Sequence, residues 1–242
     1  VHLMYIAATV LKHYFKYIHE RNYIDIDYSN SVPKIKYIRN WNLPSVFTTN
    51  EIKKIVEGID RNSDVGKRDY AMIILALRYG LRSSDIVSLT FDEIDWDNNK
   101  LKINQVKTKR MVELPLLPEV GNAIIDYLKN SRRESDLPFV FQPAKGPLKT
   151  LSTTAFYNIL NKYIKKANIE NIDSRHHGPH SLRHSLANEL LKNGDTLPDI
   201  SGILGHSSTK VTKVYLSIDY NSLKKCALPM PALNSRLYNK EL

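Results

Sequence analysis

Apolar side chains recur at helical spacing along most of the chain. Residues 1 to about 22 carry apolar and aromatic residues three or four positions apart, which predicts an amphipathic helix. The segment 67–79 is apolar nearly all round, so we expect it to lie in the core. Further helices are predicted at about 48–56, 83–89, 118–130, 152–167, 180–192, 196–204 and 208–217.

Residues 100 to 116 follow a two-residue period instead. Leu101 and Ile103 alternate with polar residues, and Val112 and Leu114 repeat the alternation on the return limb. This pattern predicts a β-hairpin whose turn, Lys107 to Arg110, is basic. The predicted fold class is therefore mainly α with a small antiparallel β-sheet.

The composition agrees with a globular protein, because 42% of residues are hydrophobic and 25% are charged. No run approaches the roughly 18 apolar residues that a membrane span needs, and no signal peptide pattern is present. A lone cysteine, Cys226, excludes an internal disulfide. We therefore expect a cytoplasmic protein, nucleoid-associated when acting, with no membrane partner.

The charge adds a functional hint. Thirty-five Lys and Arg against 25 Asp and Glu give a net charge of +10, which suits a partner made of phosphates. A generally basic surface without a nucleic-acid partner is the alternative.

The segment HHGPHSLRHSLANELL places His180 and Arg183 three residues apart, on one face of a predicted helix. His184 lies four residues after His180, a spacing that also suits two zinc ligands. The carboxylate of the zinc-protease pattern is absent and no cysteine is nearby, so we predict no metal. A solvated face without a role is the other alternative.

The segment GLRSSD places Arg82 between a helix end at Gly80 and a helix start capped by Ser83 or Ser84. An arginine there can lie beside the free N–H groups of a helix start, where anions bind. Asp85 can hold Arg82 or simply occupy the first helical turn. On this segment alone, an ordinary surface arginine in a turn is the favoured interpretation.

The segment LGHSSTKVTKVY places His206 after a glycine and Tyr215 nine residues later. By itself, a tyrosine among Val211, Val214 and Leu216 is more typical of a core residue than of a nucleophile.

Together these segments resemble the phage-integrase or tyrosine recombinase family, of transposon or phage type. The order of the motifs carries the resemblance, which runs from about Val46 through Tyr215: GLR, a hairpin lysine, HSLR, LGH and the tyrosine. The catalytic residues that it implies are Arg82, Lys107, His180, Arg183, His206 and Tyr215, with Asp85 in support. It implies that Tyr215 cleaves and rejoins DNA through a covalent 3′-phosphotyrosine, without metal or cofactor.

The hairpin lysine is the softest of these assignments. The family's lysine often precedes a glycine, whereas this turn reads VKTKR and offers Lys107, Lys109 and Arg110. Alignment back from the following LPL favours Lys107. We expect Lys109 and Arg110 to contact DNA. We expect the same of Lys36 and Arg39, which lie in the basic, proline-bounded stretch 29–44.

The resemblance also implies a domain plan. We expect residues 1–30 to be the C-terminal part of a truncated helical core DNA-binding domain, 31–45 a linker, and 46–217 the catalytic domain. Residues 218–242 form a tail expected to dock on a neighbouring protomer in a tetramer on double-stranded DNA, although packing on its own domain is possible. The alternatives for function are a type IB topoisomerase and an inactive DNA-binding protein.

Overall fold

The computed structural model describes residues 2–35 and 44–205. The chain divides into two compact units, 1–42 and 43–242. The first unit contains helix α1, His2–Glu20, and a short 3-10 helix, Tyr28–Ser31. The ring of Phe15 lies 6.0 Å from that of Tyr28 and ties the two helices together. Apolar side chains elsewhere on α1 stay exposed, among them Leu3 and Val10.

The second unit is mainly helical. Its helices are α2 Thr49–Glu57, α3 Asp64–Tyr79, α4 Ser83–Val87, α5 Pro118–Asn130, α6 Thr153–Lys166, α7 Pro179–Lys192 and α8 Leu197–Leu204. Helix α3 lies at the centre: its residues 68–76 are all buried. The predicted helices in the described part of the chain are thus confirmed, with bounds shifted by a few residues.

Local sequence explains several helix ends. Thr48 and Thr196 each form a capping box with the acidic residue three positions later, which satisfies free N–H groups at the starts of α2 and α8. Gly80 and Gly205 end α3 and α8 in the left-handed conformation, with φ values of 59° and 61°. Both glycines are the helix stops that the sequence predicts.

The sheet has three antiparallel strands in chain order, β1 Ile94–Asp95, β2 Lys100–Asn104 and β3 Met111–Pro115. In the β2–β3 hairpin, Leu101 pairs with Leu114 and Ile103 with Val112. Leu101 and Ile103 are fully buried, as their two-residue period predicts. Strand β1 was not expected, because two residues are too few to show a period.

One large core packs around α3, and a smaller cluster of Ala187, Ile200 and Leu204 joins α7 to α8. This packing brings together the end of α3, the start of α4, the hairpin loop, the start of α7 and the end of α8. The predicted fold class, mainly α with a small antiparallel sheet, is confirmed.

Two further findings concern sequence predictions. Neither Ser83 nor Ser84 caps α4: Arg82 occupies the N-cap position, and no side chain caps the helix there. Within the described ranges, no helix is long and apolar enough to cross a membrane. The predicted helix at 208–217 lies outside the described residues.

Candidate active site

Arg82 lies at the junction between α3 and α4. The left-handed turn at Gly80 redirects the chain so that Arg82 occupies the N-cap of α4 with extended backbone. Its side chain is only 14% exposed, and its Nη1 donates a 2.7 Å hydrogen bond to Oε1 of Gln105. The interpretation of Arg82 as an ordinary surface arginine therefore does not fit its surroundings.

Asp85 connects the start of α4 to the hairpin. Its side chain is buried, and Oδ1 accepts hydrogen bonds from the backbone N–H of Val106 at 2.9 Å and from Oγ of Ser84 at 3.2 Å. Oδ2 lies 3.9 Å from Nη1 of Arg82 and has no hydrogen-bond partner among the described residues. Asp85 thus anchors the hairpin loop more closely than it holds Arg82.

Arg183 projects from α7 into the gap between two helix ends. It is 4% exposed, and its two terminal nitrogens donate 2.6 Å hydrogen bonds to the carbonyls of Gly80 and Leu204. The last carbonyls of a helix lack partners inside the helix and carry partial negative charge. The C-terminal ends of α3 and α8 therefore fix the guanidinium in place.

His180 lies one turn before Arg183 on α7, as the sequence predicts. Much of its side chain is exposed. Desolvation by the atoms on its other side lowers the pKa of His180, and the positive charges of Arg183, Lys107 and Arg82 lower it further. His180 is therefore neutral at pH 7 and able to accept a proton.

His184 stands on the next turn of the helix, with its ring centroid 6.5 Å from that of His180. Burial, followed by the charges of His180 and Arg183, lowers the pKa of His184 to about 4. Among residues 2–35 and 44–205, no three His, Cys, Asp or Glu side chains are grouped to hold a metal ion.

The hairpin loop brings Lys107 towards this group. Lys107 is exposed on the loop, yet its charge lies close enough to His180 to lower the pKa of the imidazole. Lys109 adopts a left-handed φ of 54° in the same loop, and Arg110 is exposed beside it. We call Arg82, Lys107, His180 and Arg183 the basic cluster.

Sequence reasoning missed Gln105. Its side chain is 1% exposed and lies between Arg82 and the carbonyl of Leu204, with Nε2 donating to that carbonyl at 3.3 Å. The two-residue period of β2 offered a signal, because it turns Leu101, Ile103 and then Gln105 inward. A polar residue at an inward position needs a partner.

The remaining predicted site residues, His206, Tyr215, Lys36 and Arg39, lie outside the described residues. The described part of the site combines two fixed guanidinium groups, a neutral imidazole and an exposed ammonium. Planar guanidinium donors bind phosphate oxygens well, so the arrangement is suited to a phosphate ester.

Comparison with known proteins agrees with this chemistry. An integrase/recombinase relative from Sinorhizobium fredii, y4rA, is 34% identical over 93% of this chain and 54% of its own length. Tyrosine recombinase XerA from Pyrococcus furiosus is 28% identical over 91% of this chain and 71% of its own length. The chain spans about half the length of the first curated relatives that it matches.

The fold is also found in solved structures. XerH site-specific recombinase, bound to palindromic difH substrate in a post-cleavage complex, superposes with a TM-score of 0.70 at 22% identity. The match covers 88% of this chain and 62% of XerH. The family description "Phage integrase family" matches residues 45–222. The chain belongs to the phage integrase family.

Proposed function

We propose that this chain is the catalytic part of a site-specific DNA recombinase that cuts and rejoins strands through a 3′-phosphotyrosine at Tyr215. The observation that carries the proposal is the basic cluster, which brings together four residues from three separate segments of the sequence. Family membership supports it, as do relatives named tyrosine recombinase.

The reaction is a transesterification at a DNA phosphodiester. The tyrosine oxygen attacks phosphorus, the bond to the 5′ oxygen breaks, and negative charge gathers on the non-bridging oxygens. Arg82 and Arg183 stabilise that charge because their guanidinium groups are held in place before the substrate arrives. His206 would add a hydrogen bond to the same phosphate.

Proton transfers accompany both bond changes. A tyrosine has an ordinary pKa near 10 and must lose its proton as it attacks. His180 is the base that this site offers, because its lowered pKa keeps it neutral. Lys107 would protonate the departing 5′ oxygen. The phosphotyrosine conserves the energy of the broken bond, so religation needs no ATP, metal or cofactor.

Double-stranded DNA is the proposed substrate. The net charge of +10 favours it, and the structurally similar Tn1549 transposon integrase has been solved in complex with a circular intermediate DNA. Lys109 and Arg110 lie beside the basic cluster and are proposed to contact the backbone, with Lys36 and Arg39 doing so from the linker. Residues 1–30, 31–45 and 46–217 are proposed to be the end of a core-binding domain, the linker and the catalytic domain.

We also propose that residues 218–242 dock on a neighbouring protomer and hold a tetramer together on DNA. The second unit offers an apolar groove of about 380 Å³ between α2, α3 and α7, lined by Ile52, Val56, Leu77, Leu182 and Leu186 among others. The tail contains Leu228, Met230 and Leu233, which are of matching chemistry. Deleting 218–242 should abolish the tetramer in light scattering on DNA; an unchanged tetramer would rule out this docking.

The main test is trapping of a covalent adduct. Wild type and Tyr215→Phe would be incubated with nicked DNA duplexes and then denatured with SDS. The duplexes would come from the ends of the mobile element that encodes the protein, or from a nicked library of random sequence. We expect a protein–DNA adduct with wild type alone. An adduct with Tyr215→Phe would remove Tyr215 as the nucleophile, and plasmid relaxation without strand exchange would favour a type IB topoisomerase.

A further inference from the structure

A single buried amide connects the two arginines of the basic cluster. Oε1 of Gln105 accepts 2.7 Å hydrogen bonds from Nη1 of Arg82 and from Oγ1 of Thr108. An arginine can only donate, so the atom facing Arg82 must be the amide oxygen. The amide nitrogen then faces the carbonyl of Leu204, to which it donates at 3.3 Å.

The carbonyl of Leu204 is shared. It accepts a hydrogen bond from Gln105 and a second, of 2.6 Å, from Nη2 of Arg183. Three consecutive hydrogen bonds therefore join Arg82 to Arg183 through one side chain and one carbonyl. The side-chain amide of Gln105 supplies both the acceptor and the donor that this connection requires.

The backbone of Gln105 fixes the lysine loop at the same time. Its N–H donates to the carbonyl of Arg110 at 2.9 Å, and its carbonyl accepts from the N–H of Lys109 at 2.8 Å. The next residue, Val106, donates its N–H to Asp85 at 2.9 Å. The loop that carries Lys107 is thus closed on Gln105 and tied to the helix that follows Arg82.

We propose that Gln105 is a positioning residue that holds Arg82, Arg183 and the Lys107 loop in one arrangement for phosphoryl transfer. This inference rests on the proposed function and assigns a role to a residue that does not touch the substrate. It couples the groups that stabilise the phosphate to the group that protonates the leaving oxygen.

The neighbouring glycine fits this role. A Cβ atom on Gly205 would lie 2.1 Å from Nε2 of Gln105, far inside contact distance. Gly205 also has a left-handed φ of 61°, which disfavours a side chain. The glycine before His206 is therefore required twice, to end α8 and to leave space for the buried amide.

The test compares Gln105→Leu with Gln142→Leu, a matched control. Both glutamines are 1% exposed, but the hydrogen bonds of Gln142 join it to Ser135, Tyr127 and Arg68, none of which belongs to the basic cluster. In single-turnover cleavage, Gln105→Leu should be roughly 10- to 100-fold slower, as expected when reacting groups are misplaced by about 1 Å. Affinity for uncleaved DNA should change less than about twofold, because the charged groups remain.

Two further measurements separate positioning from stability. Gln105→Leu keeps the backbone bonds of the loop but loses the side-chain bond from Thr108, so Lys107 should be displaced. On DNA with a 5′-bridging phosphorothiolate, whose leaving group needs no proton, the variant should regain that part of its lost rate. Gln105→Glu keeps an acceptor for Arg82 but loses the donor to Leu204 and adds a negative charge beside Arg82, so it should also cleave more slowly than wild type. Equal slowing of Gln105→Leu and Gln142→Leu would overturn the proposal.

A readout without DNA keeps the proposal independent of activity. The pKa of His180, measured by NMR titration, reports the positions of Arg82, Arg183 and Lys107. It should shift in Gln105→Leu and stay unchanged in Gln142→Leu. An unchanged pKa in Gln105→Leu would overturn the positioning role even in an active enzyme. A shifted pKa in Gln105→Leu, together with no adduct from wild type, would count only against the recombinase proposal.

Discussion

Two buried arginine–aspartate pairs in the second unit differ in how completely the arginine's charge is balanced. Arg68 donates to Oδ1 of Asp69 from Nη2 at 2.7 Å and from Nε at 3.0 Å. The other oxygen of Asp69 accepts a 2.8 Å hydrogen bond from the hydroxyl of Tyr163. This pair lies in the core with both partners satisfied.

The pair of Arg82 and Asp85 is arranged differently. Their charged atoms are 3.9 Å apart. Asp85 accepts its shortest hydrogen bond from the hairpin backbone, and Arg82 donates to the neutral amide of Gln105. A neutral acceptor fixes a guanidinium without cancelling its charge. The difference indicates that Arg68 stabilises the fold, and it supports the proposed role of Arg82 in binding an anion.

The largest effect on folding should come from breaking the core pair. Arg68→Leu leaves Asp69 buried without its main partner, so we expect a loss of about 3–5 kcal/mol in the free energy of unfolding. Urea denaturation would measure it. The double variant Arg68→Leu/Asp69→Leu should recover part of the loss, and a loss below about 1 kcal/mol in the single variant would contradict the comparison.

Arg82→Ala should show the opposite profile. We expect cleavage to fall roughly 100- to 1,000-fold, the usual cost of removing one fixed donor from a developing charge. The free energy of unfolding should fall by less than in Arg68→Leu, because Gln105 keeps its bonds to Thr108 and Leu204 and Asp85 keeps its bond to Val106. Adduct formation on nicked DNA measures the first effect and urea denaturation the second, with the exposed Arg133→Ala as control. Normal cleavage by Arg82→Ala would end its assignment.

A smaller effect separates the two functions of Asp85. Asp85→Asn keeps an oxygen for the N–H of Val106 and loses only the charge, whereas Asp85→Ala loses both. If the hairpin bond is the important one, Asp85→Ala should cleave slower than Asp85→Asn by about tenfold, equal to about 1.4 kcal/mol. If both variants cleave equally slowly in single-turnover reactions, the charge beside Arg82 is the important feature of Asp85.

The sequence predicts those parts of the structure that local chemistry decides. Gly80 and Gly205 mark helix ends because left-handed residues favour glycine, and the alternation of Leu101 and Ile103 marks a strand. The same local rules predicted a serine cap for α4 and were wrong, since tertiary contacts hold Arg82 at that position. Its partner Gln105 is 23 residues away in the chain, beyond the reach of any local pattern.

The candidate site divides in the same way. Helical spacing predicted His180 and Arg183 on one helix, three residues apart, and the structure places both of them in α7. No pattern indicates that the carbonyls of Gly80 and Leu204 meet at Arg183, because that contact depends on how α3, α7 and α8 pack. The roles of Arg82, Lys107, His180, Arg183, His206 and Tyr215 stay predictions until the adduct is measured.

The smallest expected effect is a pH-dependent change in the free energy of unfolding caused by His184. Unlike the two arginines, which stay charged, His184 is kept neutral by burial. Its pKa is lowered from the ordinary 6.5 to about 4, so between these values the unfolded chain binds a proton that the folded chain does not. The free energy of unfolding should therefore fall as the pH drops from 7 to 5. For a half-buried side chain, we expect a decrease on the order of 1 kcal/mol after discounting for solvent screening.

Urea denaturation at pH 7, 6 and 5 would measure this slope. His184→Asn should flatten it, and His180, whose pKa is also lowered, should contribute in the same direction. Carboxylates with lowered pKa, such as Glu51, lose their contribution only below this window, because their ordinary values lie near 4. A slope that His184→Asn leaves unchanged would mean that His184 has the same pKa in the folded and the unfolded chain, so that burial does not keep its imidazole neutral.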